Sequence, residues 1–323
     1  MKKIAVLTSG GDSPGMNACI RSVVRTSIAN GYDAQGVRRG YQGLIEGDIL
    51  PLGARAVSGF ARMGGTVLKT ARSKDFKTPE GFQKAIDLIK AYEFEGIVVI
   101  GGDGSLHGAK DLADSGINVI GIPASIDNDI ACTEKSIGVD TAEDTILDAI
   151  DKIRDTASAH HRGFVIEVMG REHGYLALTS GIAGGAEMII LPNNPIDKDT
   201  IIKSVKSCFL RKKPNFICVV AEGASTPEYN ITDLVVSFIE EAGFECRKTV
   251  LGHVQRGGNP TAEDRILATR FGAEAVKLII KGESGKMLGI SAGQIIATDF
   301  DTVFSTEVTL PQSILDIMND LTI

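Results

Sequence analysis

The chain of 323 residues carries 34 basic and 41 acidic side chains, a net charge of −7, with 43% hydrophobic and only 5% aromatic residues and no tryptophan. That balance excludes a general attraction to nucleic acid or to an anionic membrane, and it leaves few rings on which bases could stack. Any anionic ligand has to be held by local arginines, on a chain long enough for about two domains.

Met1-Lys-Lys3 precedes an apolar run of only Ile4 to Leu7, too short for a signal peptide. No run approaches the roughly 18 apolar residues of a membrane span. The five cysteines (Cys19, Cys132, Cys208, Cys218, Cys246) are odd in number and contain no Cys-x-x-Cys pair. Reduced, buried thiols and a cytoplasmic location are expected.

Ile4 to Leu7 predicts a first buried strand. It ends in Thr8-Ser-Gly-Gly-Asp-Ser-Pro-Gly-Met-Asn17, and a helix follows to about Ala29, stopped by Asn30-Gly31. Gly10, Gly11 and Gly15 remove side chains and Pro14 removes a donor, so the loop suits close approach of a phosphate. Gly11-Asp-Ser-Pro-Gly15 also satisfies the nucleophile-elbow pattern, but only one strand precedes it, where an elbow needs more sheet. Arg21 and Arg25 share one helix face. Residues 36–60 predict a strand, a loop and a short helix, with Gly40-Tyr-Gln-Gly43 as a turn. Arg72 follows another glycine-rich turn, Gly64-Gly65, and a helix is expected over Pro79 to Ala91.

The central stretch is Gly96-Ile-Val-Val-Ile-Gly-Gly-Asp-Gly-Ser105: a buried parallel strand, then a sharp turn at Gly101, Gly102 and Gly104. Ser105 is the expected N-cap of a helix towards Leu112, and Asp103 stands at the strand's carboxyl end among bare amides. After a strand at Val119 to Pro123, Asp127 and Asp129 flank Asn128 in a loop, a pattern that suits proton abstraction, metal binding or an Asx turn. Asp140-Thr-Ala-Glu143 predicts a capping box for a helix to about Ala157, with Ile146, Leu147, Ile150 and Ile153 inward.

The second half repeats the grammar. Strands are expected at Phe164 to Met169, Met188 to Leu191 and Phe216 to Val220, with helices at Glu172 to Ile182, Lys198 to Phe209, Asp233 to Ala242 and Asp264 to Ile280. Two short strands near Met287 and Ile295 and a helix from about Gln312 complete the chain. Strands alternating with helices predict an α/β protein of mainly parallel sheets covered on both faces. The P-loop and dinucleotide fingerprints are missing. His160, His161, His173 and His253 lack metal-ligand spacing, which argues against zinc.

Taken together, Gly10 to Asn17, Gly101-Gly-Asp-Gly-Ser105, Ile126-Asp-Asn-Asp129, Met169-Gly-Arg171 and Leu251-Gly-His-Val-Gln-Arg-Gly-Gly258 resemble, in order and over nearly the whole chain, the signatures of the 6-phosphofructokinase family. The resemblance is to its bacterial ATP-dependent form. It implies two doubly wound, Rossmann-like αβα sandwich domains: residues 1–138 plus 250–301 binding ATP, and 139–249 plus 302–323 binding fructose 6-phosphate. By the same resemblance Gly11, Arg72, Ser73 and the loop Gly102, Asp103, Gly104 and Ser105 would hold ATP, with Gly108 leaving room for the nucleotide and Asp103 serving Mg²⁺. Asp127 would be the base on the sugar 1-hydroxyl, beside Ser125 and Asp129. Arg171 and Arg72 would offset the charge of the transferring phosphoryl group. Met169, Gly170, Glu222, His253 and Arg256 would bind the sugar phosphate, and Arg162 and Arg247 would serve a neighbouring subunit's site in a homotetramer.

Pyrophosphate-dependent relatives carry Asp where this chain has Gly104 and Lys where it has Ala124, so the resemblance favours ATP. Two departures stand against it: ATP enzymes usually have Gly at 124, and Tyr175 replaces a common Asp. A pyrophosphate-dependent phosphotransferase is therefore the alternative. An inactive sugar-phosphate sensor should have lost Asp103, Asp127 or Arg171. The resemblance also implies an effector site for ADP or phosphoenolpyruvate at Arg21, Arg25, Arg154, Gly185, Glu187, Arg211 and Lys213, with Gly59 where regulated relatives often carry Asp.

Overall fold

The structure is a computed structural model that describes residues 2–160, 162–192 and 197–321. His161 lies outside the described residues. In chain order the elements are β1 (Lys3–Ser9), α1 (Met16–Ala29), β2 (Asp33–Val37), α2 (Gly40–Glu46), β3 (Ile49–Pro51), α3 (Pro79–Ala91), β4 (Phe94–Gly101), α4 (Asp103–Asp114) and β5 (Val119–Pro123). Next come α5 (Val139–His160), β6 (Gly163–Val168), α6 (Tyr175–Ala183), β7 (Met188–Ile190), α7 (Lys198–Leu210), β8 (Phe216–Ala221), α8 (Ile231–Glu241) and β9 (Cys246–Val250). The chain closes with α9 (Ala262–Ile280), β10 (Lys286–Ser291), β11 (Gln294–Asp299), α10 (Phe300–Ser305) and α11 (Gln312–Leu321).

The first compact unit, Met1–Ile126 with Ile130–Thr141 and Arg256–Val308, holds a sheet in the order β11-β10-β5-β4-β1-β2-β3. Its strands are parallel except β3 and β11 at the two edges. Both faces are apolar because alternate residues point to opposite sides. Ile4, Val6, Val98 and Ile100 pack with α1 and α9, whereas Ala5, Leu7, Ile97 and Val99 pack with α2, α3 and α4. Fully burying each such Val, Leu or Ile contributes about 1.5–3 kcal/mol.

The second unit, Asp127–Asp129 with Ala142–Gln255 and Thr309–Ile323, holds a wholly parallel sheet in the order β7-β8-β6-β9. Val165, Cys218, Val220 and Ile190 turn to one face, against Ile201 and Val205 of α7 and Val235 and Ile239 of α8.

The division departs from the expected bounds at four places. Residues 127–129 group with the second unit because Arg171 pairs with Asp127 and Asp129. Residues 250–255 do so because Gln255 accepts the Met169 N–H. Residues 139–141 stay with the first unit because Thr141 is bound to Asp264. Residues 302–308 stay there because α10 carries Phe304 onto His107.

Local expectations also need correction. Gly40 to Gly43 opens α2 rather than forming a free turn, with Gly40 and Gly47 bracketing it at positive φ. The expected capping box fails, since α5 already starts at Val139. Its N-terminus is instead closed from α9, where buried Asp264 accepts from Gly138 N (2.7 Å), Thr141 N (2.8 Å) and Thr141 Oγ1 (2.6 Å). In α5 Ile146 and Ile150 are buried, but Leu147 and Ile153 are only half-buried. Helix α6 starts at Tyr175, not Glu172, because Gly170 and Arg171 adopt positive φ and keep 170–174 as a turn. Strand β9 and helix α10 were not anticipated.

Candidate active site

In the first unit Ser9 pairs with Gly101 and Gly101 with Pro123, so β1, β4 and β5 end level with one another. From β1 the chain crosses to β2 on one side, and from β4 to β5 on the other. The crevice beyond such a reversal is where open α/β sheets take ligands. Gly10, Gly101 and Ser105 are in contact there: a Cβ on Gly101 would lie 2.7 Å from Ser105 Oγ and one on Gly10 3.1 Å from it.

Helices α1, α4 and α6 begin on Gly15, Gly102 and Gly174 with no side-chain cap. By contrast α3, α7, α8 and α9 are capped by Thr78, Asp197, Asn230 and Thr261. A glycine N-cap supplies no side-chain acceptor for the first-turn N–H groups, which suits them to an anion. The expected N-cap Ser105 sits inside α4, since the turn at Gly102 already starts the helix and Ser105 N donates to Gly102 O.

Asp103 occupies the first turn of α4, its side chain 55% exposed and 3.5 Å from His107 Nδ1. Gly104 has nothing within 4 Å of where a Cβ would stand, so the space outside it is open. Gly108 differs: a Cβ there would come 2.8 Å from the Tyr41 ring, so its missing side chain makes room for Tyr41. Buried Tyr41 stacks on Phe76 and donates to Ser105 O at 2.6 Å.

Ser125 follows β5, with a Gly102 Cβ falling 3.8 Å from its own. Arg72 is exposed, and Ser73 Oγ donates to Gln42 at 2.7 Å. Arg256 rests over Gly11, where a Cβ would meet its Nη1 at 2.6 Å. Ser13 is only 1% exposed, which removes it as an open nucleophile and with it the elbow reading.

In the second unit the register pairs Val168 with Ala221, which brings Met169-Gly-Arg171 beside Glu222. Arg171 is the hub. Its Nε lies 3.0 Å from Asp127 Oδ2, its Nη1 3.5 Å from Asp129 Oδ2, and its backbone N–H donates to Glu222 Oε1 at 3.2 Å. Asp127 is 2% exposed, so a largely exposed guanidinium covers a buried carboxylate. Gly170 at φ 124° and Arg171 at φ 47° make the turn that aims it.

Gln255 was not anticipated as a site residue, although it stands in the Leu251 to Gly258 motif. Fully buried, it accepts from Met169 N at 3.1 Å and donates to Gly252 O at 2.9 Å. His173 is held below the ordinary imidazole range by burial, which outweighs the pull of Asp129. Exposed His253 is not among the groups bound to Arg171.

Arg162, just before β6, and Arg247, on the neighbouring β9, are brought together elsewhere through ion pairs to Glu245. Four of the expected effector residues also meet in this unit. Arg154 donates to Gly184 O and Gly185 O at 2.6 and 2.8 Å, while Glu187 lies 3.7 Å from Arg154 and 3.4 Å from Lys213. Arg211 is exposed and turns back to Ser207 O. Arg21 and Arg25 stand on α1 in the first unit.

Mg²⁺ favours carboxylate oxygen and is commonly held by one or two carboxylates plus substrate phosphates. An exposed Asp103 among uncapped amides fits that requirement.

A family profile described as Phosphofructokinase matches residues 3–279. The chain is 47% identical over 318 residues to an ATP-dependent 6-phosphofructokinase of Clostridium botulinum (strain Loch Maree / Type A3), covering 98% of each. It is 48% identical over 330 residues to the protein of that name from Halothermothrix orenii, covering 99% of each. Among solved structures, phosphofructokinase from Saccharomyces cerevisiae matches all of this chain at 36% identity and a TM-score of 0.89, this chain spanning 48% of that one.

Proposed function

We infer the function from the premise that this chain belongs to the phosphofructokinase family. It is an ATP-dependent 6-phosphofructokinase, a glycolytic kinase that moves the γ-phosphoryl group of ATP to the 1-hydroxyl of fructose 6-phosphate, with Mg²⁺. The observation that carries the mechanism is the buried Asp127 carboxylate held 3.0 Å from the Arg171 guanidinium.

In our reading Asp127 accepts the proton of the sugar hydroxyl as the oxygen attacks phosphorus, which sharpens the nucleophile. Arg171 and Arg72 offset charge spreading over the equatorial phosphoryl oxygens. Gly11, Ser73 and the 102–105 loop hold the nucleotide, with backbone amides on its phosphates, and Gly108 acts behind that loop by seating Tyr41, which bonds Ser105 O. Asp103 would hold Mg²⁺, which when bound supplies charge neutralisation on those phosphates. Met169, Gly170, Glu222, Ser125, Asp129, His253 and Arg256 orient the sugar phosphate. Glu222 has a positioning role as well, since it fixes the Arg171 backbone.

The first unit is thus the proposed ATP domain and the second the proposed sugar-phosphate domain. Half-buried Arg162 and exposed Arg247, both paired to one acid, suit an anion on a neighbouring copy in a homotetramer. ADP or phosphoenolpyruvate is the proposed effector of Arg21, Arg25, Arg154, Gly185, Glu187, Arg211 and Lys213. No helix among the described residues is long and apolar enough to cross a membrane. A cytoplasmic site of action is proposed on that basis and on the free cysteines.

The test supplies fructose 6-phosphate and Mg²⁺ with ATP, then with pyrophosphate, and follows the bisphosphate. Turnover with pyrophosphate and none with ATP would overturn the assignment.

A further inference from the structure

The segment from Met63 to Lys74 contains neither helix nor strand, yet it carries Arg72. With no ladder to order it, its path is set by the groups that bind its backbone, and these come largely from two side chains on the Thr8 to Asn17 stretch.

Asn17 is fully buried on α1. Its amide nitrogen donates to Met63 O at 3.1 Å and Gly64 O at 3.0 Å, and its oxygen accepts from Val67 N at 2.8 Å. Both donors and the acceptor are therefore spent on one loop. Thr8, also fully buried, lies at the end of β1. Its hydroxyl donates to Lys69 O at 3.0 Å and lies 2.8 Å from Thr66 Oγ1. A hydroxyl has one proton, and a carbonyl can only accept, so Thr66 must be the donor to Thr8. Lys69 takes a left-handed φ of 61°, a conformation that this bond to its carbonyl helps to hold. Further on, Arg39 N donates to Leu68 O at 2.8 Å and Ser73 Oγ is tied to Gln42. Arg72 thus projects from a short span fastened on both sides.

We propose that Asn17 and Thr8 are positioning residues for Arg72: they spend buried hydrogen bonds to hold the irregular 63–69 backbone so that the guanidinium is presented in one place to the transferring phosphoryl group. The inference rests on the role given to Arg72 above. Misplacing a charge-stabilising group by about 1 Å can cost on the order of a hundredfold in rate, so loss of one fastening should be visible in turnover. Merely structural residues would lower thermal stability and leave the turnover of folded enzyme alone.

The experiment compares Thr8→Val, which keeps the volume and removes the hydroxyl, with Asn17→Ser, Arg72→Ala and the double variant Thr8→Val/Arg72→Ala. It reads kcat, KM for each substrate, and hydrogen exchange of the 63–73 amides. Thr8→Val should lower kcat about tenfold with KM for fructose 6-phosphate little changed and 66–69 exchange faster. In the Arg72→Ala background it should lower kcat no further. Independent, multiplying losses in the double variant would overturn the proposal, as would normal kcat in Thr8→Val beside an impaired Arg72→Ala. A fully active Arg72→Ala would remove Arg72 from the mechanism and take this inference with it. If Asn17→Ser fails to fold, Thr8→Val alone still decides.

Discussion

Gly223→Ala is a sharp test of the Arg171 hub. Gly223 lies in the turn after β8 with no positive φ, so alanine is permitted there conformationally. Space is the obstacle: a Cβ would stand 2.0 Å from Arg171 O and 2.6 Å from Arg171 C. Ordinary Cβ contacts are not closer than about 3.0 Å, so one of the two backbones has to give by about 1 Å. The neighbour here is main chain, at a residue already at φ 47° and bonded through its N–H to Glu222. The Arg171 guanidinium moves with it, away from its 3.0 Å contact with Asp127. A displacement of that size is worth about 10²-fold in turnover, or roughly 2.7 kcal/mol of activation free energy. The assay is steady-state bisphosphate formation with MgATP, with thermal melts run in parallel to separate misplacement from unfolding. Gly53→Ala, where a Cβ meets nothing within 4 Å, is the control. Wild-type kcat in a folded Gly223→Ala enzyme would refute the claim that close approach of these two turns sets the arginine.

Asp127→Ser should cut kcat by about 10²–10⁴-fold with little change in KM for fructose 6-phosphate, measured in the same assay. Gly108→Ala pushes a methyl into the Tyr41 ring, so it should raise KM for ATP well above any change for the sugar phosphate, and Tyr41→Phe should be milder. Gly59 has nothing within 4 Å and φ −96°, so Gly59→Asp should fold normally and alter ADP activation, read from velocity curves with and without ADP. Burial of His173 means that the folded chain binds fewer protons than the unfolded chain near the ordinary imidazole value. Stability should therefore fall as pH drops through about 6.5 and be kept above it, and His173→Gln should flatten that slope in urea titrations.

The glycine loops were legible because they follow uninterrupted β-branched runs, and Asp103, Asp127 and Arg171 because each stands in a short motif at a strand end. What escaped notice depends on partners distant in sequence. Asp140 to Glu143 has the letters of a capping box, yet Asp264 closes that helix, and nothing local in the sequence announces an acceptor from so far along the chain. Gly108 pointed to space for a ligand, whereas the space belongs to Tyr41. Edge strand β9, Cys-Arg-Lys-Thr-Val, is too polar and exposed to signal a strand; it forms because β6 offers a free edge. Gln255 looked like one more polar letter in its motif until its amide met the backbone of Met169.

The clasp of Asp264 on the start of α5 bears on how the protein is made. The carboxylate belongs to a helix that leaves the ribosome only after the whole inserted stretch 142–255 has emerged. Until then the nascent first sheet lacks β10, β11 and the α9 cover over one apolar face. The inserted stretch already holds all four strands of its own sheet. Translation order and completion order are thus reversed: the amino-terminal half is born first and finished last. A stalled or truncated chain ending before Ala262 would keep α1 but leave Val98 and Ile100 of β4 without their α9 cover, open to chaperones.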